Sequence, residues 1–153
     1  MGNTFTNVKI HFVFAVKFRQ NLIHNSWKDE LFKYMTGIIH NHNHQLIAIN
    51  GVEDHVHILI GMHPNQSIAQ LMQDVKGSSS KWINEQKKTP RKFAWQEGYG
   101  AFSHSSDKLP IVIRYIEQQE IHHAKKTFVN EYKQLLDRFD VPFDERYIFH
   151  EPT

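Results

Sequence analysis

The segment VKIHFVFAVKF, residues 8–18, restricts the fold more than any other stretch of this chain. It alternates without a break. Val8, Ile10, Phe12, Phe14, Val16 and Phe18 share one side, and Lys9, His11, Val13, Ala15 and Lys17 share the other. Successive side chains on a strand point to opposite faces, so this period of two, rich in β-branched and aromatic residues, specifies a strand with one well-buried face. Such a strand needs neighbours to pair with and a cover for its apolar side.

The rest of the chain supplies both. Ser26 is expected to open a helix that runs to about His40, with Asp29 and Glu30 in its first turn and Trp27, Leu31, Met35, Ile38 and Ile39 at helical spacing. Strands follow near 45–51 and 55–62, joined by a turn around Gly51 to Asp54. Ser67 with Gln70 has the form of a capping box, and Ile68, Leu71, Met72, Val75, Trp82 and Ile83 then keep one helical face. Gly77-Ser78-Ser79-Ser80 interrupts this helix with poor helix formers, small enough to let another backbone come close. KKTPRK, residues 87–92, reads as a basic loop, and the second half of FAWQEGYGAFSHS, residues 93–105, as another strand. From Asp107 the chain turns helical, with Pro110 tolerated in the first turn; RYIEQQEIHHAKK continues that helix, and TFVNEYKQLLDRF forms a last one.

The order is thus β-α-β-β-α-β followed by two helices. It predicts an α+β fold: a ferredoxin-like antiparallel sheet with helices on one face and additional C-terminal helices. The expected division is a single domain over residues 1–153, with a core from about 7 to 105, helices from about 107 to 140 and an extended tail over 141–153. The second face of the sheet then requires a cover of its own, from the extra helices, a second subunit or a ligand.

Composition limits the chemistry. The chain has 153 residues and no cysteine, which removes disulfides, thiolate metal sites and a cysteine nucleophile and fits a reducing cytoplasm. No apolar run approaches the roughly 20 residues of a membrane span, and the N-terminus lacks the order of a signal peptide. Net charge is +2, enough to permit nucleic-acid binding but not to argue for it. Twelve histidines are the unusual feature, either as metal ligands or as groups that change charge near neutral pH.

Two of them stand in HVHILIG. Side chains at i and i+2 on a strand point the same way, so His55 and His57 project together, with Val56, Ile58 and Ile60 on the opposite face. If the helices cover the valine–isoleucine side, the two imidazoles face the open side, where they can converge on one metal ion or simply be structural. IHNHNHQ repeats the spacing with His40, His42 and His44, but at an expected helix end without apolar framing, and reads as a solvated turn. A complete metal site needs a third ligand. The residues leave Glu53, Asp54, Asp107, Gln119, His122 and His123 as candidates.

Five segments in this order resemble the small single-tyrosine HUH transposases of the insertion-sequence 200/605 class, including relatives associated with repetitive extragenic palindromes. They are KIHFVFAVKFRQ (9–20), NGVEDHVHILIGMHP (50–64), DVKGSSSKWIN (74–84), FAWQEGYGAFSHS (93–105) and RYIEQQEIHH (114–123). The resemblance implies a ferredoxin-like core and a divalent metal, Mg²⁺ or Mn²⁺, bound by His55 and His57. It implies a catalytic Tyr115, with Gln119 one turn later as third ligand. It further implies a homodimer with composite active sites and single-stranded DNA with hairpin ends as the partner. The implied reaction is DNA cleavage and rejoining through a 5′-phosphotyrosine. Tyr115 and Gln119 at i and i+4 lie on one face of a helix, as a shared site requires. His11, Lys17, Arg19, Lys76, Lys81 and Arg91 are expected DNA contacts, and Trp95 can stack on an unpaired base. Two other readings stay open: a non-catalytic single-strand-binding module, and a metal-dependent phosphodiesterase that uses activated water.

Overall fold

A computed structural model describes residues 4–142; the tail expected over 141–153 lies outside them from residue 143 onward. Four strands, β1 (Lys9–Ala15), β2 (Gln45–Gly51), β3 (His55–Gly61) and β4 (Gly100–His104), form one antiparallel sheet in the order β2-β3-β1-β4. With α1 (Asn25–Asn41) after β1 and α2 (Ile68–Glu85) after β3, this is the ferredoxin-like arrangement. The chain then adds α3 (Leu109–Glu117), α4 (Gln119–Lys125) and α5 (Phe128–Arg138). Among the described residues, no helix is long and apolar enough to cross a membrane.

The alternation in β1 sorts the two faces. Ile10, Phe12 and Phe14 join Val56, Ile58 and Ile60 of β3 in a core against Trp27, Leu31, Met35 and Ile39 of α1 and Leu71, Met72, Val75 and Ile83 of α2. At about 1.5–3 kcal/mol for each large apolar side chain fully buried, this layer is the main source of stability. Helix α2 begins as expected, with the Ser67 hydroxyl accepting from Gln70 N at 3.1 Å. Gly77–Ser80 does not interrupt it. Ser79 is fully buried, and its hydroxyl accepts from the Trp95 indole at 2.9 Å, so the small residues admit an aromatic side chain from the following loop. Their propensity cost, up to about 1 kcal/mol for the glycine, is outweighed by that packing.

The opposite face is not open. Val13, Ala15 and Phe102 pack against Phe128, Leu135 and Leu136 of α5, while Ala48 and Leu59 pack against Val112 and Ile116 of α3. These apolar side chains demand a cover, and the C-terminal helices provide it. His55 and His57 therefore lie under a roof made by the chain's own C-terminal helices, the first of the three covers expected for this face.

Three boundaries differ from expectation. β1 stops at Ala15, and Phe18 and Arg19 take left-handed backbone angles (φ 59° and 53°) that turn the chain away from the sheet. α1 starts at Asn25 after His24 instead of at Ser26. The helix expected across RYIEQQEIHHAKK breaks at Gln118 (φ −100°, ψ 25°), so Tyr115 and Gln119 belong to two helices. Asn50 of β2 meets this break. Its amide donates to the carbonyls of Ile116 at 3.0 Å and Glu117 at 3.1 Å, satisfying groups that a helix end leaves without partners. Asn50→Ala is expected to destabilise the protein by about 1–2 kcal/mol and to raise hydrogen exchange in α3 selectively, measurable by urea unfolding and amide exchange.

The histidines of IHNHNHQ also separate. His40 is exposed, but His44 is buried, with Nε2 2.7 Å from Gln66 Oε1 and Nδ1 accepting from His63 N at 2.9 Å. His44 is therefore a structural joint and not part of a solvated turn.

Candidate functional site

β3 delivers both histidines because its odd-numbered residues face α3 and α5. The turn before it is tightly held. A side chain at Gly51 would place a Cβ 2.6 Å from the His55 carbonyl oxygen, so only glycine allows the two strands to approach this closely. The Asp54 carbonyl accepts from Val16 N at 2.8 Å, and the Glu53 carbonyl accepts from Leu22 N and Ile23 N at 3.1 and 2.9 Å. His55 thus starts β3 from an anchored position.

The imidazoles converge. His55 Nε2 lies 3.1 Å from Gln119 Oε1 and 3.0 Å from Glu131 Oε1, and His57 Nε2 lies 3.0 Å from the same Glu131 oxygen. The remote nitrogens are also occupied. His55 Nδ1 donates to Asp54 Oδ1 at 2.7 Å, and His57 Nδ1 pairs with His11 Nε2 at 2.8 Å. The Tyr115 hydroxyl donates to Glu131 Oε2, and its ring meets the His57 ring edge-on at 5.7 Å and stacks on His122 at 4.5 Å. One chain therefore brings histidines, glutamine and tyrosine into a single cluster. Every member of the inner set is buried: His55 at 1% exposure, His57 and Gln119 at 0%, Glu131 at 5%.

The charges follow from these contacts. Burial alone would lower the pKa of His55, but its bonds to Asp54 and Glu131 prevail and raise it to about 9. Burial dominates at His57 and at His11, lowering both, so these two imidazoles are neutral. Burial opposes ionisation of Glu131, yet the two histidine bonds hold its carboxyl far below the usual range. Tyr115 moves upward through burial and through the negative charge of Glu131, so its phenol keeps its proton.

This donor set fits a small divalent cation. Ligand imidazoles ordinarily have their second nitrogen fixed by a carboxylate or a similar partner, as Asp54 and His11 do here. His55, His57 and Glu131 each offer one ligand atom, all within 4.8 Å of one another. A cation must displace the extra proton of His55. Mn²⁺ affinity is therefore expected to rise about tenfold per pH unit between about pH 6.5 and about pH 8.5, as isothermal titration in two buffers of different ionisation enthalpy would show. Without metal the sign reverses. The stability contributed by protonated His55, with its pKa raised from 6.5 to about 9, is complete below about pH 6.5 and is lost as pH rises through about 9.

The other expected residues fall in different places. His11 is 1% exposed and pairs with His57, so it stands within the cluster and not on an exposed strand face. Trp95 lies in the α1–α2 core, with its indole on Ser79, and is not available for stacking on a base. Lys76 donates to the carbonyls of Gln96 at 2.8 Å and Gly98 at 2.6 Å. Lys17, Lys81 and Arg91 are exposed, and Arg19 lines a cavity beside Asp54 and His123. Of the six candidate third ligands, Gln119 presents a donor on the Nε2 side. Asp54 serves His55 from behind, and His123 Nδ1 lies 4.0 Å from Asp54. Glu131 was not among the candidates. Its signal was present in the sequence, because in FVNEYKQLLDR it shares the apolar face of a helix with Phe128 and Leu135.

A cavity of about 290 Å³, lined by His11, His104, Tyr115, Glu131, Arg138 and Phe139, reaches the tyrosine from outside. His104 Nε2 is buried there without a hydrogen-bond partner. Burial and the nearby Arg138 charge lower the His104 pKa.

Known proteins are similar to this chain in sequence and in fold. The transposase for insertion sequence element IS200 from Salmonella typhimurium LT2 is 28% identical over 105 residues, covering 65% of this chain and 68% of its own. The ISDra2 transposase TnpA of Deinococcus radiodurans is 23% identical over 117 residues, 73% of this chain and 84% of that one. Among solved structures, a Deinococcus radiodurans R1 protein described as a candidate transposase superposes with a TM-score of 0.61 at 23% identity, covering 78% of this chain and 96% of its own. A REP-associated tyrosine transposase bound to a REP hairpin also gives 0.61, at 10% identity over 80% of this chain and 73% of its own. The family profile described as "Transposase IS200 like" matches residues 4–119, a span that contains both strand histidines, Tyr115 and Gln119, and the chain belongs to that family.

Proposed function

We propose that this transposase cleaves and rejoins single-stranded DNA by transesterification, with Tyr115 as nucleophile and His55, His57 and Gln119 as ligands of Mg²⁺ or Mn²⁺. The observation that carries the reading is the meeting of the Tyr115 hydroxyl, two imidazole Nε2 atoms and the Gln119 amide oxygen around one buried carboxylate. A bound divalent cation supplies polarisation of a non-bridging phosphate oxygen and neutralisation of developing charge.

The residues do the rest. Tyr115 Oη forms a bond to phosphorus as the bond from phosphorus to the 3′ oxygen breaks. The phenolic proton is released, and the 3′ oxygen leaves as a hydroxyl. A different 3′-hydroxyl then attacks the 5′-phosphotyrosine, restores the phenol and joins new ends. The energy of the phosphodiester is kept in the covalent link, so no nucleotide cofactor is needed. Asp54 and His11 fix the ring orientations of His55 and His57, and the roof of α3 and α5 excludes bulk water.

Hairpin-bearing single strands are the proposed substrate, with Lys17, Arg19, Lys81 and Arg91 as phosphate contacts. One chain holds the tyrosine beside its own histidines, so a homodimer on this reading pairs two complete sites. The test is incubation with single-stranded DNA carrying candidate terminal hairpins and Mn²⁺, followed by a denaturing gel. The expected result is a protein–DNA adduct that disappears without metal; no adduct across a broad hairpin panel sinks the reading.

A further inference from the structure

Glu131 sits on α5, beyond the residues 4–119 that match the family, yet it lies at the centre of the cluster. Its position is too closely specified for a surface carboxylate that happens to be covered. Burying an anion is costly unless it is paired, and here every oxygen is engaged. Oε1 lies 3.0 Å from both His55 Nε2 and His57 Nε2, and Oε2 accepts from the Tyr115 hydroxyl, with Gln119 Nε2 at 3.4 Å.

From these contacts we propose that Glu131 is a further protein ligand of the divalent cation, alongside His55, His57 and Gln119, and that the same carboxylate tethers Tyr115 beside it. The proposal rests on the metal-dependent reading given under Proposed function.

Three observations support it. The first is spacing. In an octahedral shell with bonds of about 2.1 Å, neighbouring ligand atoms stand about 3.0 Å apart. The edges from Glu131 Oε1 to His55 Nε2 and to His57 Nε2 are both 3.0 Å, and the edge from His55 Nε2 to Gln119 Oε1 is 3.1 Å. The second is charge. With neutral imidazoles and a neutral amide as the other donors, Glu131 and the Asp54 behind His55 supply two negative charges against the two positive charges of the cation. The third is donor chemistry. Two imidazoles alone make a site somewhat soft for Mg²⁺ or Mn²⁺, and a carboxylate shifts it toward these harder ions.

Mn²⁺ binding tests this without reference to DNA cleavage. Free Mn²⁺ is followed by its electron paramagnetic resonance signal in titrations of the wild type, Glu131→Gln, Glu131→Asp and a His55→Ala/His57→Ala double variant, each checked for fold by circular dichroism. Glu131→Gln is expected to weaken binding at least about tenfold, with partial recovery in Glu131→Asp. Unchanged or tighter binding in Glu131→Gln overturns the proposal, because a carboxylate that merely fills the cation position would compete with it. Failure of the wild type to bind, or equal binding by the double histidine variant, sinks the metal reading itself and is thereby distinguishable. If Glu131→Gln does not fold, the wild type labelled with ¹³C-carboxyl glutamate decides. Electron–nuclear double resonance of bound Mn²⁺ shows a strong ¹³C coupling for a coordinated carboxylate, and its absence overturns the assignment.

Discussion

Tyr115→Phe is expected to abolish the covalent protein–DNA adduct and to lower strand cleavage at least about a thousandfold, while Mn²⁺ binding stays within a few-fold of the wild type. The substitution removes one oxygen and leaves the ring on His122 and against His57 in place. What it deletes is the only atom that can form the phosphotyrosine. It also removes the donor to Glu131 Oε2, leaving that oxygen with only the 3.4 Å contact from Gln119, which costs about 1–3 kcal/mol in urea unfolding of the metal-free protein. A denaturing gel with end-labelled hairpin DNA reads the first effect. Normal cleavage by this variant would favour attack by activated water and remove Tyr115 from the nucleophile's role. A variant that binds hairpin DNA unchanged alongside a wild type that never cleaves would instead indicate a silent binding module.

Loss of the strand imidazole is the second large effect. His57→Ala is expected to lower Mn²⁺ affinity at least about a hundredfold and to eliminate the adduct, because on the proposed reading it removes one of the two nitrogen ligands of the cation. It is also expected to destabilise the metal-free protein by about 2–4 kcal/mol. His57 is fully buried, and its removal opens a cavity, strips one donor from Glu131 and leaves His11 without its 2.8 Å partner. Calorimetric titration with Mn²⁺ and urea unfolding separate the two consequences. Retention of full affinity would show that the cation, if bound, sits elsewhere. His11→Ala should show the same signs with a smaller effect, since it orients His57 but offers nothing on the Nε2 side.

The sequence by itself determined the sheet, its order of elements and the pairing of His55 with His57. Periods of two and of about 3.6 are local properties, and the apolar residues they mark in β1, β3, α1 and α2 are buried together in one core. It also singled out Tyr115 and Gln119 as candidates, through a run of motifs and not through any property of those two side chains, and the fold brings both to the histidine cluster. Tertiary structure decided what lies over the second face. Nothing local distinguishes a sheet face covered by its own C-terminal helices from one left open, and so His11 was expected on DNA although it is buried under them; Trp95 was expected there although its ring fills the α1–α2 core beside Ser79. The break at Gln118 was equally invisible, because the carbonyls it frees are met by Asn50, a residue 66 positions from Ile116 in the chain. Glu131 is the clearest case. A glutamate on an amphipathic helix carries no mark of its partners, and only the docking of α5 across β1 and β4 brings it to histidines 74 and 76 residues earlier and to a tyrosine 16 residues before it.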